Sequence, residues 1–239
     1  MPTRRGSRPA GRATTSVGAG TAVLPRAFYD RPTLTVARDL LGKVLVHRSA
    51  GAVSSGMIVE VEAYIGEDDP ACHAAPGPTK RNEPLYGPPG FAYVYLNYGI
   101  HYLVNAVTEG EGHPAAILIR ALQPIDGIPL MLKRRAADGR DVRVEDLCRG
   151  PGNLTKALGI TLAENRLDLC SVPAQSRHRA STEQAQSNLY IEDRGVDVQE
   201  VAWGPRIGIR VAVDRPWRCW IDGNLFVSAI KRRASGLHR

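Results

Sequence analysis

The chain has 239 residues and is 43% hydrophobic, which suits a globular protein with one substantial core. Its formal net charge of +7 favours a polyanionic partner, although arginines and lysines near both ends contribute much of that charge. No apolar run approaches the about 20 residues that a membrane span needs, which argues against a membrane protein. The four scattered cysteines form no Cys-x-x-Cys pair, which argues against a zinc ribbon and for free thiols in a reducing cytoplasm.

The two ends of the chain differ from the rest in composition. Residues 1–23 are rich in Arg, Gly, Thr, Ser and Ala without hydrophobic periodicity, which predicts a disordered basic tail. Residues 24–232 show no internal repeat and no second composition regime, so we expect one domain there, followed by a short basic tail at residues 233–239. The mixture of helical and strand-like segments within that domain predicts the α+β class.

The first elements of the domain lead to a strand that carries two carboxylates. A short helix is predicted at residues 33–41 and a strand at residues 43–47. Residues 56–62 then alternate in the manner of a half-buried strand. One face of that strand would carry Met57, Val59 and Val61, and the other would carry Ile58, Glu60 and Glu62. Two carboxylates two residues apart would therefore share a face.

The end of this strand collects residue types that can perform chemistry. The turn at residues 66–70 places Glu62 and Tyr64 at the strand end and His73 on the loop beyond it. An acid, an aromatic ring and an imidazole in one place can form a catalytic pocket. The alternative is a solvated strand face followed by a turn. We favour this alternative for Glu60, and for Glu62 the choice depends on what the rest of the chain supplies.

A long loop and a hairpin follow. Residues 74–90 lack periodicity, and a long loop inside a compact domain is usually functional. Two strand-like runs then flank Asn97-Tyr98-Gly99, where Asn and Gly tolerate positive φ, so we predict a tight turn with Tyr98 at its apex. An aromatic side chain at an apex has no core to enter, which favours a binding anchor or a wedge between bases. Ordinary strand packing accounts for Tyr93.

A third strand and the remaining elements complete the domain. Residues 115–122 form an apolar strand that contains Arg120, which needs a carboxylate or a phosphate as partner, and a salt bridge is the simpler expectation. Helices are predicted at residues 128–136 and 154–158. The glycines before the second helix allow either a backbone anion site or a plain helix entry. Further strands are predicted at residues 189–192, 207–213 and 217–221, and residues 173–187 are expected to be a polar loop or an insertion.

Six short motifs, in order along the domain, carry a family resemblance. They are Ala37-Arg-Asp-Leu-Leu-Gly42, Val59-Glu-Val-Glu-Ala-Tyr-Ile-Gly66, Asp69-Pro-Ala-Cys-His73, Tyr93-Val-Tyr-Leu-Asn-Tyr-Gly99, Leu118-Ile-Arg-Ala-Leu122 and Arg149-Gly-Pro-Gly152. Each motif is weak alone, but the ordered set is specific. On these motifs the chain resembles the alkyladenine (3-methyladenine) DNA glycosylase family, the kind that is not built on a helix-hairpin-helix. The resemblance implies a single mixed domain with a curved, mainly antiparallel sheet and a protruding β-hairpin.

The resemblance also implies a role for each matching residue in excising a damaged purine. Tyr64, His73 and Tyr95 would stack on the flipped base, and Asn105 would exclude guanine by meeting its exocyclic amine. Tyr98 would be the wedge that fills the place of the flipped base in the duplex. These roles agree with the physics, because a wedge and a stacking platform offset the cost of flipping.

Two further residues take chemical roles in the resemblance. Glu62 would be the general base that activates water, since a carboxylate beside the sugar deprotonates water and stabilises developing positive charge. Arg120 would contact a phosphate beside the flipped nucleotide. One departure is Asn97, where we would expect an apolar residue that helps to invade the duplex. No metal and no cofactor are expected.

The sequence therefore predicts a monofunctional DNA N-glycosylase of base excision repair, which flips alkylated or deaminated purines out of double-stranded DNA. We expect a monomer without membrane contact, located in the cytoplasm and associated with the nucleoid if bacterial. The alternative is a non-catalytic nucleic-acid-binding protein on the same fold, and Glu62 favours the enzyme. A nucleoside hydrolase is a third hypothesis, but it would need neither a hairpin-tip aromatic nor an excess of positive charge.

Overall fold

The computed structural model describes residues 21–136, 139, 141–171 and 188–228. The expectations for residues 1–20, for residues 173–187 and for the C-terminal tail at 233–239 lie outside this range. The part that is described contains nine β-strands and four α-helices, with three short 3₁₀ helices between them.

The strands are β1 (Ala22–Val23), β2 (Val44–Ser49), β3 (Ala52–Ile65), β4 (Ala92–Asn97), β5 (His101–Val107), β6 (Ala115–Pro124), β7 (Asn188–Asp193), β8 (Val201–Gly204) and β9 (Arg218–Ile221). The α-helices are α1 (Arg26–Tyr29), α2 (Thr33–Leu40), α3 (Ile128–Arg135) and α4 (Pro151–Leu158). The 3₁₀ helices are Glu83–Tyr86, Val144–Asp146 and Leu162–Glu164.

All nine strands belong to one antiparallel sheet that curls around β3. The main path runs β1-β7-β2-β3-β6-β5-β4, and β9 joins β3 and carries β8 on its other side. Along one edge of β3, β2 pairs with the first part and β9 with Glu60–Glu62, while β6 pairs along the opposite edge. The strand of the two carboxylates therefore lies at the centre of the fold. The predicted α+β domain with a curved antiparallel sheet and a β-hairpin is confirmed.

The main core lies between one face of the sheet and helices α2, α3 and α4. Helix α2 buries Val36, Ala37 and Leu40, which recur at the spacing of one helical face. Gly42 ends this helix with a φ of +84°, and its N–H donates to Ile58 O at 2.9 Å. The glycine thereby ties the helix end to the middle of β3.

The predicted alternation over residues 56–62 is wrong at one point. The register of β3 against β6 shifts between Ile58 and Val61, which is the mark of a β-bulge. As a result Ile58 and Val61 both enter the main core, and Ile58 does not share the face of Glu60 and Glu62. The bulge gives the two carboxylates a face of their own.

The strand predicted at residues 207–213 is also wrong, because this segment is an irregular loop. Positive φ angles at Gly208 (+83°) and Ala212 (+49°) are incompatible with an extended strand. The strand that precedes the loop is Val201–Gly204, which pairs with β9 and was not predicted. Its apolar pattern is too short to be distinguished from a loop by sequence alone.

The domain begins earlier than the predicted boundary at residue 24. Ala22 and Val23, assigned to the tail from the sequence, form β1 and pair with β7. Leu24 is 5% exposed, and its N–H donates to Ile191 O at 2.9 Å. Residues 22–24 are therefore part of the fold.

We expect this short segment to contribute measurably to stability. Deleting residues 1–24 should lower the free energy of unfolding by about 2 kcal/mol relative to deleting residues 1–20, because the longer deletion also removes the buried side chain of Leu24. The measurement is chemical denaturation of both shortened proteins, each compared with the full chain. Equal stabilities of the two shortened proteins would show that β1 contributes nothing.

Candidate active site

A cavity of about 340 Å³ opens beside the ends of β3, β4, β5 and β6, a size that small-molecule sites commonly have. Six of the seven residues singled out from the sequence line it, namely Tyr64, His73, Tyr95, Tyr98, Asn105 and Arg120. The seventh, Glu62, is 0% exposed and lies behind Tyr64 and Arg120, which both contact it. The fold thus brings together residues that are 58 positions apart in the chain, from Glu62 to Arg120.

Glu62 is fixed by three donors from three parts of the chain. Its Oε1 accepts the backbone N–H of Ile207 at 2.6 Å and lies 3.2 Å from Nη1 of Arg120. Its Oε2 accepts the hydroxyl of Tyr64 at 2.8 Å. Both oxygens are therefore oriented before any ligand enters, as a general base requires.

The interpretation of Glu60 as a solvated side chain is wrong. Glu60 is 0% exposed, and its Oε1 accepts from Arg218 Nη1 at 2.7 Å and from Arg120 Nε at 3.2 Å. Its Oε2 accepts the backbone N–H of Ser228 at 2.8 Å. Local sequence patterns could not reveal this environment, because Arg218 and Ser228 lie 158 and 168 positions away from Glu60.

Tyr64 is held as a neutral donor to Glu62. Burial, and then the negative charge of Glu62, raise the pKa of Tyr64 far above its ordinary value, so the hydroxyl keeps its proton. The guanidinium of Arg206 lies 4.6 Å from the centre of the Tyr64 ring and is itself paired with Asp69 at 2.5 and 2.8 Å. This buried ion pair supports the tyrosine from behind.

The loop that carries Arg206 and Ile207 was missed as part of the site. Ile207, Gly208 and Ile209 line the cavity opposite the hairpin. The signal that could have found it is the arginine after Gly204-Pro205, because an arginine beside a turn and an apolar run needs a buried partner. That partner, Asp69, is 137 positions away.

Aromatic rings form one wall of the cavity. His73 meets Tyr95 edge-to-face, with ring centres 4.5 Å apart and an interplanar angle of 67°. Its Nδ1 lies 2.9 Å from the hydroxyl of Tyr93. Strand packing alone is therefore an incomplete account of Tyr93, because this side chain also lines the cavity and orients His73. Burial raises the pKa of Tyr93 to about 12, so its hydroxyl stays protonated at neutral pH.

Asn105 lies at the floor of the cavity and is 5% exposed. Its Nδ2 donates to the backbone carbonyl of Tyr93 at 2.9 Å, across the β4–β5 pair. This contact fixes the amide plane. A fixed polar group in such a cavity can discriminate between ligands, because a ligand that offers no partner leaves a buried polar group unpaired.

The hairpin of β4 and β5 projects Tyr98 into solvent, as predicted. Tyr98 is 89% exposed and has a φ of +49°, next to Gly99 at +71°. Ile100 beside it is 73% exposed, and Leu96 is 39% exposed. Apolar side chains thus flank Tyr98 on both sides of the turn, although position 97 itself is Asn.

The loop that follows His73 is organised by Asn82, which is 2% exposed. Its Nδ2 donates to the carbonyls of His73 at 2.7 Å and Gly77 at 2.9 Å, and its Oδ1 accepts the N–H of Thr79 at 2.6 Å. The guanidinium of Arg81 lies 5.5 Å from the centre of the Tyr95 ring. The long loop at residues 74–90 is therefore held by internal hydrogen bonds, and its Leu85 lines the cavity.

The salt bridge expected of Arg120 is present, and its partners are both carboxylates of β3. The glycine motif lies against the hairpin: a Cβ at Gly152 would lie 2.7 Å from Cγ of His101, so only glycine lets helix α4 approach the first residue of β5, beside the turn, this closely. This close approach is an explanation of the motif that does not require a bound anion.

Across residues 21–136, 139, 141–171 and 188–228, no group of three or more His, Cys, Asp or Glu side chains is placed to hold a metal ion. Over the same part of the chain no helix combines the length and apolar character needed to cross a membrane. The four cysteines are free thiols.

Comparisons with known proteins agree on one family. The sequence model of the methylpurine-DNA glycosylase family matches residues 27–225. A protein of Methanocella arvoryzae is 45% identical over 217 residues, covering 90% of this chain and 98% of its own length. A protein of Rhodopseudomonas palustris is 45% identical, covering 86% of this chain and 88% of its own length. A protein of Bradyrhizobium diazoefficiens is 46% identical, covering 86% of this chain and 90% of its own length. All three relatives are provisionally named 3-methyladenine DNA glycosylase.

The geometry predicts that Arg81 acts on the protonation of His73. Burial first, and then the charge of Arg81, lower the pKa of His73 below its ordinary value. Arg81→Gln should therefore raise the pKa of His73, as followed by NMR titration of its imidazole signal, assigned with His73→Gln. Lys80→Gln is the matched control and should leave that pKa where it is in the wild type. An unchanged pKa in Arg81→Gln would place the guanidinium away from the cavity.

Proposed function

Because the chain belongs to the methylpurine-DNA glycosylase family, we propose that it flips damaged purines out of double-stranded DNA and hydrolyses their N-glycosidic bond with water activated by Glu62. The observation that carries this proposal is a buried carboxylate fixed behind an aromatic-lined cavity, beneath an exposed aromatic side chain at a hairpin tip. A membership of this family implies a hydrolase that acts on N-glycosyl bonds of DNA.

The first step is the exchange of the damaged base for a protein side chain. Tyr98 and Ile100 enter the stack, where they fill the space that the nucleotide leaves. The extruded base enters the cavity and stacks against Tyr64, His73 and Tyr95. Each stacking contact is worth roughly 1–3 kcal/mol, which is comparable with the few kcal/mol that unstacking costs.

The second step breaks the bond between the base and the sugar. The bonding electrons leave with the purine, and positive charge develops on the sugar. A water molecule adds its oxygen to the anomeric carbon, and Glu62 accepts the proton that this water loses. The negative charge of Glu62 also stabilises the cationic sugar, and Arg120 contacts the phosphate beside the flipped nucleotide.

Selectivity for damaged purines has two origins in this proposal. Alkylation gives the purine a positive charge, so the base leaves readily and one carboxylate suffices. A histidine whose pKa is lowered stays neutral at pH 7, so His73 does not repel a cationic base. Asn105 meets the position of the exocyclic amine of guanine and so disfavours the normal base.

The enzyme proposed is monofunctional and acts as a monomer in the cytoplasm. A lyase activity needs an amine that forms a Schiff base with the sugar, and the cavity lining within the described residues contains no lysine. The alternative is a non-catalytic DNA-binding protein on the same fold. It does not explain why three donors orient the buried carboxylate of Glu62.

Glu62→Gln should bind lesion DNA with wild-type affinity, because the amide keeps the shape of the side chain. Its excision rate should fall by about a hundredfold to ten-thousandfold, because an amide cannot act as the general base. The measurement is single-turnover release from one oligonucleotide per lesion, covering 3-methyladenine, 7-methylguanine, hypoxanthine and ethenoadenine. Glu67→Gln, at an exposed site beyond the strand end, is the control and should retain the wild-type rate. Wild-type turnover by Glu62→Gln would remove Glu62 from the chemistry.

Tyr98→Ala should lower the population of flipped base about ten- to a hundredfold while costing little stability, because the side chain is 89% exposed. The fluorescence of ethenoadenine in DNA reports flipping apart from cleavage. The loss should be smaller for a lesion in a mismatch, where unstacking already costs less. Val196→Ala truncates an apolar side chain that is 42% exposed in the loop after β7, away from the cavity lining, and serves as control. Full flipping with slow cleavage in Tyr98→Ala would assign Tyr98 to the chemical step instead.

A further inference from the structure

Glu60 is a fully buried carboxylate that the proposed reaction does not use. It precedes Glu62 by two residues on the same face of β3, and its exposed fraction is 0%. Burial of a charge is costly even when the charge is paired, and an apolar residue of similar size often stabilises a fold as well. The position of Glu60 beside the proposed base therefore calls for an account other than stability.

Two donors fix Glu60 independently of the cavity. Arg218, on β9, donates to its Oε1 at 2.7 Å, and the backbone N–H of Ser228, beyond β9, donates to its Oε2 at 2.8 Å. Arg218 is itself 1% exposed and donates from Nε to the carbonyl of Pro205 at 3.0 Å. Glu60 is thus a rigid acceptor whose place does not depend on what the cavity contains.

The third donor to Glu60 is Arg120, which also contacts Glu62. Nε of Arg120 lies 3.2 Å from Oε1 of Glu60, and its Nη1 lies 3.2 Å from Oε1 of Glu62. The guanidinium is planar, so holding two of its nitrogens fixes the direction of Nη2, the nitrogen that neither carboxylate takes. Arg120 lines the cavity and is 6% exposed, so this direction matters to a ligand there.

Without Glu60, the guanidinium of Arg120 could form a stronger contact with Glu62. Arginine and carboxylate groups prefer a two-pronged pair in which two nitrogens meet two oxygens. Such a pair with Glu62 would engage Oε2, the oxygen that now accepts only the hydroxyl of Tyr64 among the hydrogen bonds seen in the described residues. An oxygen engaged by a guanidinium is a poor acceptor for a proton from water.

We propose that Glu60 is a positioning residue: by holding Nε of Arg120 it limits Arg120 to a single contact with Glu62. The guanidinium is thereby kept off Oε2, the oxygen that accepts the neutral hydroxyl of Tyr64 and takes the proton from water. This inference rests on the proposed role of Glu62. Arg218 completes the arrangement, because two arginines then balance two buried carboxylates.

A double-mutant cycle tests whether Glu60 acts through Arg120. Glu60→Gln replaces the carboxylate by a neutral amide. Only one acceptor oxygen then remains for the three groups that donate to Glu60 in the wild type. Its single-turnover excision rate should fall about ten- to a hundredfold. In an Arg120→Gln background the same change should alter the rate less than about twofold, because the group it positions is gone. An equal loss in both backgrounds would mean that Glu60 supports only the fold, and a wild-type rate in Glu60→Gln would also overturn the proposal.

Two further variants distinguish a loss of positioning from a loss of folding. Glu60→Asp keeps the charge, draws the carboxylate back by one methylene and should show a smaller loss of rate than Glu60→Gln. Glu164→Gln is the matched control, since Glu164 is a carboxylate that is 3% exposed and pairs with Thr161 outside the cavity lining. It should lower the melting temperature without changing the excision rate of the folded protein.

A crystal structure of Glu60→Gln separates this inference from the proposed function. Arg120 should then lie within hydrogen-bonding distance of both oxygens of Glu62. If Arg120 keeps its single contact, the positioning role is wrong even when the wild type excises damaged purines. If Arg120 rearranges but the wild type releases no purine from any lesion substrate, the positioning is supported and the proposed function fails.

Discussion

Two carboxylates buried side by side on one strand require compensating donors, and this requirement organises the molecule around the cavity. Glu60 and Glu62 share a face of β3 because a β-bulge sets them apart from the apolar positions. Their donors come from three directions: Arg120 from β6, Arg218 from β9 and the N–H of Ile207 from the loop between β8 and β9. The central strand can carry two charges only because strands on both of its edges supply cations.

The same principle accounts for the walls of the cavity. The Arg206–Asp69 pair, with both side chains 0% exposed, supports Tyr64, and Asn82 gathers the loop that follows His73. Hydrogen-bonded polar groups thus hold both the ring of Tyr64 and the loop that begins at His73. Such walls are rigid, since moving one ring would break the hydrogen bonds behind it. The exposed hairpin tip has no such support and is free to meet a partner.

Local patterns predicted the parts of the fold that depend on neighbours in sequence. Helix α2 and the apex at Tyr98 follow from apolar spacing and from residues that tolerate positive φ. The bulge before Glu60 and the loop at residues 207–213 were not predicted, because both are imposed by contacts with distant strands. For the site, strand patterns and turns singled out Tyr64, His73, Tyr98 and Arg120, whereas Tyr95 and Asn105 took their expected roles from the family resemblance. Arg206 escaped because its partner lies far away in the sequence.

The contact between Ser228 and Glu60 has a consequence for the order in which the protein is made. During translation β3 is synthesised early. Its donors Ile207, Arg218 and Ser228 are synthesised much later, with the loop before β9, β9 itself and the segment after it. Until then the sheet would have to close over carboxylates that lack their donors, which is unfavourable. The central strand should therefore stay open to water until these later segments have been synthesised, and the ordered cavity and the compact fold would then form together.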